Sequence, residues 1–208
     1  MLPLSLVNEI KPYYEVQDPG HDWAHIQRVV TTATMLADKE AALKEVVIPA
    51  AFLHDIVNVP KNHPERARAS TLAADKAIKL LEKHGADSQY FTRIHQAIVE
   101  HSFSRGLTPS SIESACVQDA DRLDALGAIG VLRCTAVNVE MKAKFYDPED
   151  PFADRRELDD KKWMLDHYEV KLLRLHETFT TAQGRSEAQR RTDFMLSFLD
   201  QLRSEITA

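Results

Sequence analysis

A chain of 208 residues, 44% hydrophobic and 28% charged, is long enough to bury a full core, and a single globular domain over 1–208 is the expectation. The formal net charge of −6 does not suit a long nucleic acid as partner, because affinity for such a backbone comes mainly from neutralising its phosphates; a small anionic substrate needs only a favourable local field. No apolar run approaches the roughly 18 residues that span a bilayer, so no membrane partner is expected.

The start, MLPLSLVNEIKPYYE, carries Glu9 too early for a secretory leader. Cys116 and Cys134 are too few for a disulfide framework and read as free thiols in a reducing, cytoplasmic setting.

Helical periodicity dominates and glycine is scarce, at 6 residues, which points to an all-α fold. Residues 3–16 suit a short helix that stops at Asp18-Pro19-Gly20. A long helix follows over 22–43, with Ile26, Val29, Val30, Ala33, Leu36 and Ala37 at helical spacing. A further helix covers 45–57. Pro64 opens the next, which Gly85 closes. Helices are then expected over 88–103, 111–125 and 127–145. The proline- and charge-rich stretch 147–160 reads as a mobile loop. Helical patterns resume over 161–177 and 186–203.

Several polar groups fall on apolar faces. His25 lies four residues before Val29, at the edge of the buried stripe. Val47, Ala50, Ala51 and His54 recur at i, i+3, i+4 and i+7, with Asp55 directly after. Val117, Asp121, Asp124 and Ala128 share one side of a later helix. A buried carboxylate needs a partner, and a cation shared by His25, His54, Asp55 and Asp121 would supply one. Two imidazoles and two carboxylates suit a divalent first-row metal. On spacing alone, packed histidines and a surface aspartate account for the same pattern.

Three strings carry a resemblance: HDWAHIQRV at 21–29, AFLHDIV at 51–57 and QDADRLDALGAIG at 118–130. Their order, a His, a His-Asp doublet and a distant Asp, resembles the HD superfamily of metal-dependent phosphohydrolases. Within it they are similar to the small bacterial YedJ-like and YpgQ-like subgroup. The resemblance implies an HD-domain helical bundle with a divalent metal held by His25, His54, Asp55 and Asp121. That metal is commonly Mn²⁺, with Mg²⁺, Co²⁺, Ni²⁺ or Fe²⁺ as alternatives. It also implies hydrolysis of phosphate esters or anhydrides, with nucleotides the usual substrates.

Around that set, Ile94, Ala97, Ile98 and His101 form a stripe that turns His101 inward as a catalytic, phosphate-contacting or second-metal group. Asp124 is a candidate general base or a salt-bridge partner of Arg122 or Arg28. Phosphate recognition needs cations as well as metal, and Arg28, Lys61 and Arg68 are the candidates. Trp23 reads as core packing. His21, His63, His84, His95, His167 and His176 are assigned structural roles. The favoured chemistry is attack of a metal-activated water on phosphorus. A two-iron oxygenase and a non-catalytic nucleotide-sensing module are the competing classes.

Overall fold

The computed structural model describes residues 2–15, 20–57, 59, 65 and 68–206. Nine α-helices are present among them: α1 Leu4–Glu15, α2 Trp23–Lys39, α3 Lys44–Leu53, α4 Ala69–Lys83, α5 Phe91–His101, α6 Ile112–Leu123, α7 Gly127–Glu140, α8 Asp166–Val170 and α9 Ala182–Ile206. The only strand-like pairing among the described residues is an isolated bridge between Lys144 and Trp163. The fold is all-α, as the periodicity requires. No helix among the described residues is long and apolar enough to cross a membrane.

The chain divides into two compact units. The first comprises Met1–Arg122 and Thr180–Gly184; the second comprises Leu123–Phe179 and Arg185–Ala208.

In the first unit α3 is the central element, packed on α2, α4 and α5. Its sequence explains the position: Val46, Val47, Ala50, Ala51 and Leu53 are all buried, and a helix apolar on most of its surface must sit inside. α2 presents the expected stripe, burying Ile26, Val29, Ala33, Leu36 and Ala37 with His25 among them. Tyr14 of α1 donates its hydroxyl hydrogen to the Phe52 carbonyl at 2.7 Å, fixing α1 near the end of α3.

The helix ends show which sequence signals were sufficient. α4 stops at Gly85, in the left-handed region at φ 69°, and the Ala86 N–H reaches back to the Leu81 carbonyl at 3.0 Å. This is the expected glycine-closed terminus. α2 and α7 end by the same device without glycine. Ala41 (φ 54°) and Lys142 (φ 58°) take the left-handed position, and Ala42 and Ala143 donate to the carbonyls of Ala37 and Asn138, each at 3.0 Å. The helices therefore stop at Lys39 and Glu140, short of the expected 43 and 145.

In the second unit, residues 161–177 form α8 and a 3₁₀ turn over Leu172–Thr178 instead of one helix. The cause is competition for backbone donors. Met164 and Leu165 donate to the carbonyls of Lys144 and Phe145 at 2.8 and 3.0 Å, so neither can propagate a helical ladder. In the stretch 147–160, Asp150 accepts the backbone N–H groups of Asp154, Arg155 and Arg156. Arg156 forms a two-pronged pair with Asp166 at 2.6 and 2.7 Å. Both cysteines are buried free thiols.

Candidate metal centre

Three helix termini of the first unit bring their histidines to one place. Asp22 caps α2 by accepting the His25 N–H at 2.8 Å, which sets His25 in the first helical turn. His54 follows the last residue of α3, and its Nδ1 lies 2.8 Å from the Ala51 carbonyl. His101 ends α5, and its Nδ1 lies 2.6 Å from the Ile98 carbonyl. A carbonyl only accepts, so in both rings Nδ1 carries the proton and Nε2 is left with its lone pair when the ring is neutral. A backbone partner of this kind also fixes ring orientation, as behind metal-ligating imidazoles.

Those Nε2 atoms converge. His25 Nε2 stands 3.4 Å from His54 Nε2. Asp121 Oδ1 lies 3.6 Å from His25 Nε2 and 3.7 Å from His54 Nε2. Asp55 Oδ2 is 3.5 Å from His54 Nε2, and its Oδ1 is 3.5 Å from His101 Nε2. Two overlapping triads result, His25–His54–Asp121 and His54–Asp55–His101, with the ligand atoms within each lying inside 4.8 Å of one another. His25 and His54 are fully buried, whereas the two aspartate side chains are 22% exposed and form the solvent side.

The electrostatics follow from this crowding. Burial lowers the His54 pKa, more than the neighbouring carboxylates raise it. For Asp55, burial pushes the carboxyl up, but the His54, His101 and His21 rings outweigh it and hold it well below the ordinary value. Asp121 behaves likewise: burial raises it, and His54, His25 and His101 together bring it below the ordinary value. His101 is lowered by burial and raised by a larger combined pull from Asp55, Asp121 and the Ile98 carbonyl.

The donor set fits a divalent cation. Ligand bonds of about 2.0–2.2 Å place neighbouring donors roughly 3–4 Å apart. The contacts of 3.4 to 3.7 Å fall in that range and are too long for strong hydrogen bonds. With its proton committed to Ala51, neutral His54 has no hydrogen to offer His25 or Asp121. Within each triad a shared cation would satisfy the lone pairs that face one another.

The other expected residues are distributed as follows. Asp124 is buried in the second unit and takes a hydrogen bond from Arg133 at 3.0 Å, a partner not among those the sequence suggested. Arg28 is half-buried on α2. Arg68 is exposed and paired with Glu65 at 2.9 Å. Lys61 and His63 lie outside the described residues. Trp23 packs with Tyr14 and Phe52 at ring separations of 6.0 and 6.1 Å, in keeping with a core role. His84 binds Glu9 and His95 binds Asp75, away from the triads.

Beside the site stand one residue that was not singled out, Gln118, and one that was read as structural, His21. Gln118, buried and three positions before Asp121, donates from Nε2 to the carbonyls of Glu100 and Leu107 at 2.7 and 3.0 Å, tying α6 to the end of α5 beside His101. Its i, i+3 relation to Asp121 was the available signal. His21 sits directly before the cap of α2, with its ring 5.9 Å from that of His25.

Comparison with known proteins gives a consistent pattern. The HD domain family model matches residues 22–126. YpgQ of Bacillus subtilis (strain 168) is 33% identical over 195 residues, covering 91% of this chain and 86% of that protein. The crystal structure of Bacillus subtilis YpgQ in complex with ADP superposes with a TM-score of 0.74 at 30% identity, covering 96% of this chain and 97% of that one. An HD-superfamily hydrolase from Bacillus thuringiensis gives a TM-score of 0.75 at 31% identity, covering 99% and 96%.

Proposed function

Since the chain belongs to the HD domain family, we propose that it is a divalent-metal-dependent phosphohydrolase acting on small phosphorylated substrates, nucleotides foremost. The observation that carries the reading is the convergence of five donors from four helices, three of them imidazoles with two carboxylates on the solvent side. The ADP complex of the YpgQ relative supports a nucleotide as the ligand class.

In this reading His25, His54, Asp55 and Asp121 hold the metal, with Mn²⁺ first among the candidates. When bound, such an ion lowers the pKa of its water and polarises a phosphoryl oxygen. The chain's own groups do the rest. The backbone bonds to Ala51 and Ile98 keep the His54 and His101 rings aimed inward, so no reorientation is needed on binding. His101 is the proton-handling group, because its Nε2 faces Asp55 inside the cluster. Asp124 is engaged by Arg133 and is given no step. Arg28, Lys61 and Arg68 are the cations proposed to contact phosphate.

The test is a nucleotide panel with Mn²⁺, Mg²⁺, Co²⁺ and Ni²⁺, in which phosphate and pyrophosphate are detected separately. Metal-dependent release of either product is the expected result. Nucleotide binding without turnover would transfer the chain to the sensing class. Two irons per chain on elemental analysis would favour the oxygenase.

A further inference from the structure

We infer that Gln118 is a positioning residue, which sets His101 against the five-residue cluster by fastening the end of α5 to the helix that carries Asp121. The inference rests on the hydrolase reading for the part His101 plays and adds a residue to that site. Its ground is a general weakness of helix ends. The last four carbonyls of an α-helix have no partner within it, so the final residue frays unless other donors hold it. His101 is the final residue of α5. The carbonyls before it are held by three side chains in succession. Ile98 faces the His101 Nδ1–H at 2.6 Å, Val99 accepts from the Ser70 hydroxyl at 3.1 Å, and Glu100 accepts from Gln118 Nε2 at 2.7 Å.

Among these three donors, Gln118 is the one that comes from α6, three residues before Asp121. Its second N–H goes to the Leu107 carbonyl at 3.0 Å, so one amide holds both the end of α5 and the loop that leads on to α6. Both partners only accept, which fixes the amide orientation: turned over, its oxygen would face two carbonyl oxygens. The side chain is 1% exposed, and its Oε1 accepts no hydrogen bond from the described residues. Two bonds gained against one stranded acceptor leave little net stability, so its contribution is to placement. The Glu100 side chain repeats the link, accepting from the Ser114 hydroxyl of α6, the Ser110 N–H and hydroxyl, and Gln96. The residue before His101 is thus joined to α6 through both its backbone and its side chain. His101 is held edge-on to His54, with ring centres 4.8 Å apart and planes at 78°, and its Nε2 lies 3.5 Å from Asp55 Oδ1. A proton-handling group tolerates little displacement, since about 1 Å can cost a hundredfold in rate.

Gln118→Met keeps the length of the side chain and removes both donors. Its kcat on a nucleoside triphosphate should fall about tenfold, with KM and Mn²⁺ affinity within about threefold of the parent, because the displaced group is His101 and not a metal ligand. The fall should vanish in a His101→Gln background, where a residue that acts through His101 has nothing left to position. Gln118→Asn, one methylene shorter with its amide intact, should show the same pattern more weakly and keeps the test open where the methionine variant does not fold. A second readout needs no turnover. In ¹H NMR spectra of the metal-free protein, the buried Nδ1–H protons of His54 and His101 are identified by their loss in His54→Gln and His101→Gln. Gln118→Met should speed exchange of the His101 proton with water at least about tenfold and leave that of His54 unchanged. Equal acceleration at both rings, or a kcat loss that adds in full to that of His101→Gln, overturns the inference by making Gln118 a general support of the fold. Unchanged kcat in a parent that turns over, or unchanged exchange at His101, overturns it as well. If the parent turns over no nucleotide with any divalent metal, the hydrolase reading fails while proton exchange still decides Gln118.

Discussion

Asp119 and Asp121 lie two residues apart on α6, and their surroundings are opposite. Asp119 is fully buried and saturated with donors: the Thr181 N–H at 2.8 Å, the Thr181 hydroxyl at 2.7 Å and the Thr180 N–H at 3.2 Å. Asp121 faces the imidazole nitrogens of His25 and His54, at 3.6 and 3.7 Å. Burial raises the Asp119 pKa despite those donors, whereas the ring charges lower that of Asp121. One carboxylate completes the protein's own hydrogen bonding, at the point where Thr181 caps α9 through the Gly184 N–H. The other belongs to a group of donors that could hold a cation. Glu100 belongs with Asp119, since Ser110, Ser114 and Gln96 all donate to it. A carboxylate in the core is thus a structural group when its donors are hydrogens, and a candidate ligand when its neighbours are other lone pairs.

The sharpest way to break this comparison is to remove each carboxylate in turn. Asp121→Ala should lower Mn²⁺-dependent turnover at least about a hundredfold, because the cation loses a charged ligand, while the melting temperature without metal changes little. Its stabilisation by added Mn²⁺ should disappear. Asp119→Ala should do the reverse. Stranding the two buried Thr181 donors costs about 2–4 kcal/mol, or roughly 5–10 °C in melting temperature at this chain length, yet the Mn²⁺-induced rise should persist. Thermal melts of both variants with and without Mn²⁺ decide the matter; equal behaviour of the two would erase the distinction.

A smaller effect sharpens the comparison at the surface. Glu187 of α9 accepts from Arg190 and Arg191, and these hydrogen bonds lower its pKa to about 2. A carboxylate depressed in the fold stabilises above its unfolded pKa, and that contribution is lost as pH falls through the folded value. Arg190 is 74% exposed, so solvent screening reduces the gain to about 1 kcal/mol or less. Glu187→Gln should therefore be slightly less stable than the parent at pH 7. The gap should close between about pH 4.5 and 2. A gap that stays constant with pH would assign the effect to packing.

The same logic explains what was legible in the sequence. The stripes of α2 and α3 located His25 and His54 because a 3.6-residue period reports which side of a helix is buried. Gly85 marked the end of α4 because glycine enters the left-handed region without strain. Ala41 and Lys142 perform that role with ordinary side chains, so nothing in the sequence announced that α2 and α7 stop early. The interruption at 161–177 was invisible for another reason: the carbonyls of Lys144 and Phe145 that capture its donors are remote in sequence. At the site, Gln118 escaped notice because its contacts to Glu100 and Leu107 run between helices. The choice of Arg133 as the partner of Asp124 likewise depends on how the chain turns at Leu126 and Gly127.

The central claim is that the clustered imidazoles and carboxylates hold a catalytic divalent cation. Asp55→Ala tests it most directly, because Asp55 contacts both His54 and His101 and lies partly open to solvent, where its loss should leave the fold intact. The decisive measurement is Mn²⁺ content by elemental analysis, taken with nucleotide hydrolysis on the same preparation and with circular dichroism as a check of the helices. The account predicts a helical protein with little bound metal and no detectable metal-dependent turnover. Near-normal metal content and turnover in Asp55→Ala would contradict it.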